Sequence, residues 1–392
     1  MVQEYTRQGP KKVVVKEGDL AGQRVVIGVS AQAALSKLAV LILKSQGADV
    51  RCVHFQMSEL YCQASGREAG DKDSVQELQS WAKKNDVELD VKDLTVESSK
   101  FAEAWLRHYW NQVWLADIHA ILDSKFLLPQ LLAFAKEKKA KVATGHRARI
   151  SQVPTSKEWR LLQSKGYDVD QSFALSLIKP SAFKDIVLPL GQVQGDELLK
   201  VLKEKNIVSE EFTEAQLFRD MNPETHFDVL AQLMSTKEMK RVRKTGYFIN
   251  TGGDIYGKHE GLVKYNVGEE VSFPEMNNAK RHVLGHDLLT TRVIVGKDEL
   301  LRRKGCVTGP ISWTLKTPDF RTTQKTFEVY LEGKPSRQFE MKAELLPDSC
   351  LRLSCQREED WEHFFPRLGS HISLYSGSLC VGSGVVLATL ND

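Results

Sequence analysis

Val25-Val26-Ile27-Gly28-Val29-Ser30-Ala31-Gln32-Ala33-Ala34-Leu35-Ser36 is the stretch that decides how this chain folds. Its first five residues form a short β-branched apolar run, the pattern of a buried parallel strand. Ser30 to Ser36 predict a tight turn, and Leu38 through Leu43 continue with the apolar spacing of a helix. A strand feeding a helix this way aims backbone N–H groups and the positive helix end at whatever sits above the sheet. Loops of this kind normally carry glycines so that the backbone can approach a phosphate. This one has none, and Gln32 and Leu35 stand where an anion needs space. The scaffold of a phosphate site is present without its chemistry.

The same alternation extends outward. Val50–Phe55, Val87–Val91 and Lys141–Thr144 read as further strands, separated by helices at Ser36–Gln46, Ser74–Asn85, Phe101–Trp114 and Ile118–Lys138. This βαβ order predicts a doubly wound parallel sheet whose ligand rim lies above the carboxyl ends of its strands. Ser30, Phe55 to Tyr61 and Thr144 to His146 are expected to meet there. A helix at Leu198–Lys205 closes the unit. Short mixed elements punctuated by Pro223 and Gly252-Gly253 follow. From His282 onward strands dominate, including Val283–Leu284, Arg292–Val295, Gly305–Val307, Phe327–Leu331, Cys350–Cys355, Ile372–Leu374 and Val385–Ala388, as a small antiparallel barrel would require. The expected class is α/β, with three domains at 1–206, 207–274 and 275–392.

A chain of 392 residues is long enough for more than one core. Its 54 Lys and Arg against 51 Asp and Glu give a net charge of +3, so any nucleic-acid binding has to come from a local patch. The densest basic cluster is Lys237, Lys240, Arg241, Arg243 and Lys244, by charge alone a solvated helix face. No apolar run approaches the ~20 residues that span a bilayer, and Met1 to Gly22 lack the apolar core of a signal peptide; the cytoplasm is the expected compartment. The six cysteines, at 52, 62, 306, 350, 355 and 380, include no Cys-x-x-Cys pair. They read as free thiols, and no metal site is expected.

Several motifs, in order, resemble those of the tRNA-specific 2-thiouridylases, the MnmA type of the N-type ATP pyrophosphatases. Ala143-Thr144-Gly145-His146-Arg147-Ala148-Arg149 is similar to that family's A-T-G-H-Y-A-R, with Arg147 in place of tyrosine. Asp170-Gln171-Ser172-Phe173 resembles K-D-Q-S-Y, and Leu188-Pro189-Leu190-Gly191 resembles F-P-L-G. Gly257-Lys258-His259-Glu260-Gly261 with Tyr265-Asn266-Val267-Gly268 is similar to G-x-H-x-G followed by Y-T-I-G. The resemblance runs from about residue 24 to 388. It implies adenylation of a tRNA wobble uridine with ATP and magnesium, then sulfur delivery from a cysteine persulfide.

The residues that such chemistry needs differ here. The family loop reads S-G-G-V-D-S-S, against Ser30, Ala31, Gln32, Ala33, Ala34, Leu35 and Ser36. Both glycines, the aspartate that helps organise the metal-bound pyrophosphate, and one serine are replaced. In the family's N-P-D-x-x-C-N segment the cysteine carries sulfur. Alignment through Lys125-Phe126 places Asp117 on the aspartate and Ala120 on the cysteine, and an alanine can neither attack carbon nor hold sulfur. The second family cysteine falls near Arg219. No catalytic residue is assigned.

Ser30, Gln32, Ala34, Ser36, Gly145 and His146 are the remnant of the nucleotide site, with His146 equally readable as a capping or buried histidine. Asp117 reads as a retained base or an exposed helix carboxylate, and Cys62 as a rim thiol or a packed one. Lys125, Arg147, Arg149 and the cluster Lys237, Lys240, Arg241, Arg243, Lys244 are candidate contacts to an RNA backbone. Trp105, Trp110 and Trp114 offer bases a stacking surface or, more commonly at such spacing, a core. The expected function is non-catalytic binding, with tRNA as leading partner or a protein in its place, and no membrane. No cofactor is expected, ATP and magnesium being ligands only if the altered loop still holds them. The alternatives are an ATP-dependent tRNA-modifying enzyme with altered chemistry and a protein-interaction scaffold.

Overall fold

A computed structural model describes residues 20–31, 33–65, 72–112, 123–165, 170–193, 195–212, 237, 240, 243–265, 267–287, 289–315, 325–331, 338–366 and 368–391. Gln32, Asp117, Ala120, Arg219, Arg241 and Trp114 lie outside them, as does the side chain of Trp110.

The opening strand β1 (Arg24–Gly28) precedes helix α1 (Ala34–Ser45), and β2 (Asp49–Gln56) precedes α2 (Glu59–Ala64) and α3 (Lys72–Lys84). Then come β3 (Glu88–Asp93), α4 (Thr95–Gln112), a π-helical turn at Asp123–Leu127, α5 (Leu128–Glu137) and β4 (Lys141–Ala143). The expected helix at Ile118–Lys138 therefore has, in its described part, a π-turn that shifts register before α5. A hairpin, β5 (Ala148–Gln152) and β6 (Trp159–Gln163), a short helix α6 (Ser172–Leu175), β7 (Ile186–Val187) and α7 (Gly195–Glu204) complete this part.

The first sheet runs β3-β2-β1-β4-β7, every neighbour parallel. Its chain order reverses at β1, with β2 on one side and β4 on the other, and such a switch point opens a crevice above the strand ends. Val25, Val26 and Ile27 are all buried because the strand faces a core on each side. Val25 and Ile27 pack with Leu38 and Leu43 of α1, Leu78 of α3, and Leu198 and Leu202 of α7. Val26 packs with Leu131 and Phe134 of α5. Helices cover both faces, the doubly wound arrangement that the β-branched run predicts.

The second sheet comprises β8 (Gly246–Ile249), β9 (Ile255–His259), β10 (Glu270–Phe273), β11 (Ala279–Asp287) and β12 (Arg292–Gly296), in the order β10-β11-β12-β8-β9. Only β12 and β8 are parallel. This corrects the sequence reading that gave 283–284 and 292–295 to the barrel. Both strands bury their apolar positions, Val283, Val293 and Val295, beside Phe248 and Phe273 in the central core. Strand propensity marks such residues without saying which sheet they join.

The third sheet contains β13 (Gly305–Thr308), β14 (Ser312–Trp313), β15 (Lys325–Leu331), β16 (Gln338–Leu345), β17 (Leu351–Cys355), β18 (His371–Ser376) and β19 (Leu379–Leu390). Antiparallel pairing runs β13-β17-β16-β15-β18-β19 and returns from β19 to β13, closing a six-stranded barrel. Closure removes the exposed edges that an open sheet would leave. β19 also pairs with β6, so the hairpin from the first part extends the barrel sheet.

Candidate functional site

The rim above the first sheet is built from the ends of β1, β2 and β4. Val29 donates its N–H to the Val53 carbonyl at 2.9 Å, and the His54 Nδ1 lies 3.0 Å from the Val29 carbonyl. Beyond it, the Ala33 N–H reaches the Ser30 carbonyl at 3.2 Å and the Ser36 hydroxyl donates back to the Ala33 carbonyl at 2.9 Å. Ala33 caps α1 without a side-chain hydrogen bond, and the first turn of α1 carries no acidic residue. Ala34 is buried in the core and Leu35 packs against it, so these two loop positions serve packing.

The loop after β4 closes on that helix. A Cβ added at Gly145 would stand 2.9 Å from the Ser36 amide nitrogen and 3.0 Å from the Leu35 carbonyl carbon. Next to it, the half-buried His146 places Nδ1 2.9 Å from the Thr144 hydroxyl. Ser30, Ser36, Gly145 and His146 are thus brought to one rim, as expected from the strand order. Cys62 is buried on α2, with Tyr61 fully buried beside it and its ring tilted against Phe126 at a centroid distance of 5.3 Å. Trp105 is buried as well. Among the described residues no group of three or more His, Cys, Asp or Glu side chains is placed to hold a metal.

Arg147 requires a correction. Read from sequence as rim charge available to a phosphate backbone, it is fully buried. Its main chain is clamped by Gln171, whose Oε1 accepts the Arg147 N–H at 2.9 Å and whose own N–H donates to the Arg147 carbonyl at 2.7 Å. Arg149 is half-buried and donates from Nε to the Gln163 carbonyl at 2.7 Å. Lys125 is exposed on the π-turn with Nζ 3.1 Å from the Leu177 carbonyl. Partial desolvation of its ammonium, which sits against the Leu177 carbonyl although the residue as a whole is exposed, and then the neighbouring Lys179 charge hold its pKa below the usual range. Lys237, Lys240, Arg243 and Lys244 are all exposed.

Sequence reasoning missed what the Asp170-Gln171-Ser172 motif holds together. Asp170 accepts the N–H groups of Ser164 at 2.8 Å and Ser172 at 3.2 Å, and the Ser172 hydroxyl at 2.5 Å. That hydroxyl lies 2.8 Å from the hydroxyl of Tyr375 in the barrel. Burial raises the Asp170 pKa, while these hydrogen bonds and the Arg147 charge pull it down. Beside this, Ser176 meets His371 at 3.2 Å and Ser373 at 2.9 Å, and Gln163 donates to the Tyr330 hydroxyl at 2.6 Å. The motif was visible in the sequence; its barrel partners, some two hundred residues away, were not.

Elsewhere, the histidine of Gly257-Lys258-His259-Glu260-Gly261 is structural. His259 accepts the Gly261 N–H at Nδ1 and sits 3.0 Å from the Thr291 carbonyl at Nε2, using both ring nitrogens. A separate cleft of about 590 Å³ lies at the amino ends of β1 and β2, lined by charges of both signs including Arg24, Asp49, Arg51 and Lys138. It faces away from the rim.

A doubly wound sheet with a nucleotide-type loop at its switch point, coupled to a β-barrel, defines a multi-part α/β protein built on a nucleotide-binding scaffold. Residues 23–217 match the model of the tRNA methyl transferase HUP domain. The chain is 24% identical over 370 residues to the tRNA-specific 2-thiouridylase MnmA of Treponema denticola, covering 93% of this chain and 97% of that one. It is 24% identical over 263 residues to the MnmA of a Synechococcus species, covering 65% of this chain and 66% of that one. Among solved structures it resembles the U34-tRNA thiolase NcsA of Methanococcus maripaludis with its [4Fe-4S] cluster, at 11% identity and TM-score 0.29, over 55% of this chain and 71% of that one. The NH3-dependent NAD synthetase of Campylobacter jejuni is matched at 12% identity and TM-score 0.30, over 56% and 82%. The chain is a homologue of the MnmA-type tRNA 2-thiouridylases.

Proposed function

We propose that this chain binds tRNA without thiolating it. The observation that carries the reading is the start of α1: its loop, Ser30 to Ser36, contains no glycine, and its first turn contains no acidic residue. Close approach of a polyphosphate needs the first, and a magnesium-bound pyrophosphate is organised by the second. The residues present do not fit ATP with magnesium. Ala120, aligned with the family's sulfur-carrying cysteine, removes the nucleophile independently. What remains is a three-part scaffold with exposed cations at Lys237, Lys240, Arg243 and Lys244, suited to phosphate contacts whose strength falls with salt.

The test is calorimetric titration of the full chain with ATP and magnesium, beside anisotropy titration with unmodified tRNA over a range of salt. The expected result is no saturable nucleotide binding and salt-dependent tRNA binding. Saturable ATP binding, or 2-thiouridine formed in tRNA by the purified protein, would overturn the non-catalytic reading. Absence of tRNA binding at low salt would overturn the partner.

A further inference from the structure

We infer that the outer face of the central sheet is a base-stacking platform for unpaired RNA, centred on Tyr247. This rests on the tRNA-binding reading and goes beyond it by naming the surface and the form of RNA it takes. Along β8 the inward residue Phe248 is buried at 4% exposure, while its neighbour Tyr247 points outward at 42%. A large aromatic half in water, on a strand whose opposite face is well packed, is not used by the core.

Strand register surrounds that ring with positive charge. Tyr247 is opposite Lys258 on β9 and opposite Arg292 on β12, so the three occupy one row across adjacent strands. All three are exposed, whereas the residues following them, Phe248, His259 and Val293, are buried. Directly paired residues share a face and lie about 5 Å apart, which puts one cation on each side of the aromatic. In the next row Ile249 is opposite Ile294, both partly exposed, and they broaden the apolar floor.

The nearby acids offset this charge only in part, Asp287 lying within reach of the Arg292 charge. Asp287, opposite Arg292, commits its carboxylate to the turn after β11, accepting from the Leu289 and Thr290 N–H groups and the Thr290 hydroxyl. Glu260 and Glu270 pair with Lys264 and Lys280. The chain also enters β8 from exposed Arg243 and Lys244. An aromatic face between cations suits a splayed base with phosphates on either side, since stacking accepts any base and the cations hold the backbone. A base-paired stem keeps its bases stacked inside and offers Tyr247 nothing.

The experiment uses the full chain and two labelled RNA probes, a hairpin with an unpaired loop and a blunt duplex of the same stem, read by anisotropy at several salt concentrations. The hairpin is expected to bind more tightly than the duplex. Tyr247→Ala should weaken hairpin binding about ten-fold with little change in salt slope, and Tyr247→Phe should stay within about two-fold of wild type. Lys258→Gln and Arg292→Gln should each lower the salt slope by about one. All four changes are on an exposed face, and unchanged circular dichroism confirms folding. If the wild type binds hairpin and these variants bind equally well, this inference fails while the tRNA reading stands. If the wild type binds no RNA, including tRNA, both fail. Competition by poly-glutamate as strong as by the hairpin would assign the face to an acidic protein and overturn the RNA platform.

Discussion

Gly145 lies against the first turn of α1 so closely that a Cβ there would stand 2.9 Å from the Ser36 amide nitrogen. The approach of the two loops across the switch point is therefore intact, although the loop before α1 has no glycine of its own. Gly145→Ala should force the loop after β4 away from backbone atoms that cannot yield as a flexible side chain would. A loss of about 1–3 kcal/mol in urea unfolding is expected, and an unchanged midpoint would show that the loops are not in contact in solution.

Restoring the nucleophile alone should not restore the reaction. Ala120→Cys returns a sulfur atom to the aligned family position, but the loop still lacks glycine and carboxylate. On the non-catalytic reading proposed above, activation of the uridine carbon is lost together with sulfur delivery. Nucleoside mass spectrometry of tRNA incubated with this variant, ATP, magnesium and a sulfur donor should show no 2-thiouridine; its appearance would mean that the altered loop still activates substrate.

The parts of this molecule that were legible in the sequence are those governed by local pattern. The continuous apolar run Val25 to Val29 announced a strand with a core on both sides, and Val25, Val26 and Ile27 are buried accordingly. The convergence of Ser30 with Gly145 and His146 followed from strand order alone. What could not be read was set by partners distant in sequence. Arg147 looks like a surface cation, yet the fold buries it fully, with Gln171 clamped on its main chain. Val283 and Val293 look like barrel residues until the pairing of β11 with β12, and that of β12 with β8, places them in the central sheet. Tyr375 carries no motif, yet it completes the hydrogen-bonded chain from Asp170 through Ser172.

The buried Arg147 and the Asp170 carboxylate should be energetically coupled. The Arg147 charge lowers the Asp170 pKa against the effect of burial. Arg147→Met fills similar volume but leaves the carboxylate without that charge, and a coupling of about 0.5–3 kcal/mol is expected between the two positions. Adding Asp170→Asn in the same chain should recover part of the loss. A double-mutant cycle in guanidinium measures the coupling, and strict additivity would refute it.

Acid should weaken the seam between the first domain and the barrel through His371. The ring is fully buried, against Ser176 and Ser373 and tilted against Phe173 with ring centroids 4.4 Å apart. Burial, then the charge of Lys125, holds its pKa down at about 3. The unfolded chain binds this proton near the ordinary histidine value of about 6.5. Below that pH the unfolded state holds more protons than the folded one, so stability falls as pH falls. The contribution is whole above about 6.5 and is lost progressively towards 3, reaching about 3 kcal/mol near pH 4. His286, held down to about 4 mainly by burial, acts in the same direction. Asp170, whose pKa is raised by burial, acts in the opposite direction because its protonation favours the folded form. His371→Gln keeps a polar group beside Ser176 and removes the titration. The difference between wild type and this variant, followed by urea unfolding from about pH 7 to pH 4, isolates the His371 contribution from the other two groups. The wild type should lose more stability than the variant over that range, and parallel curves would show that His371 is solvated and titrates normally.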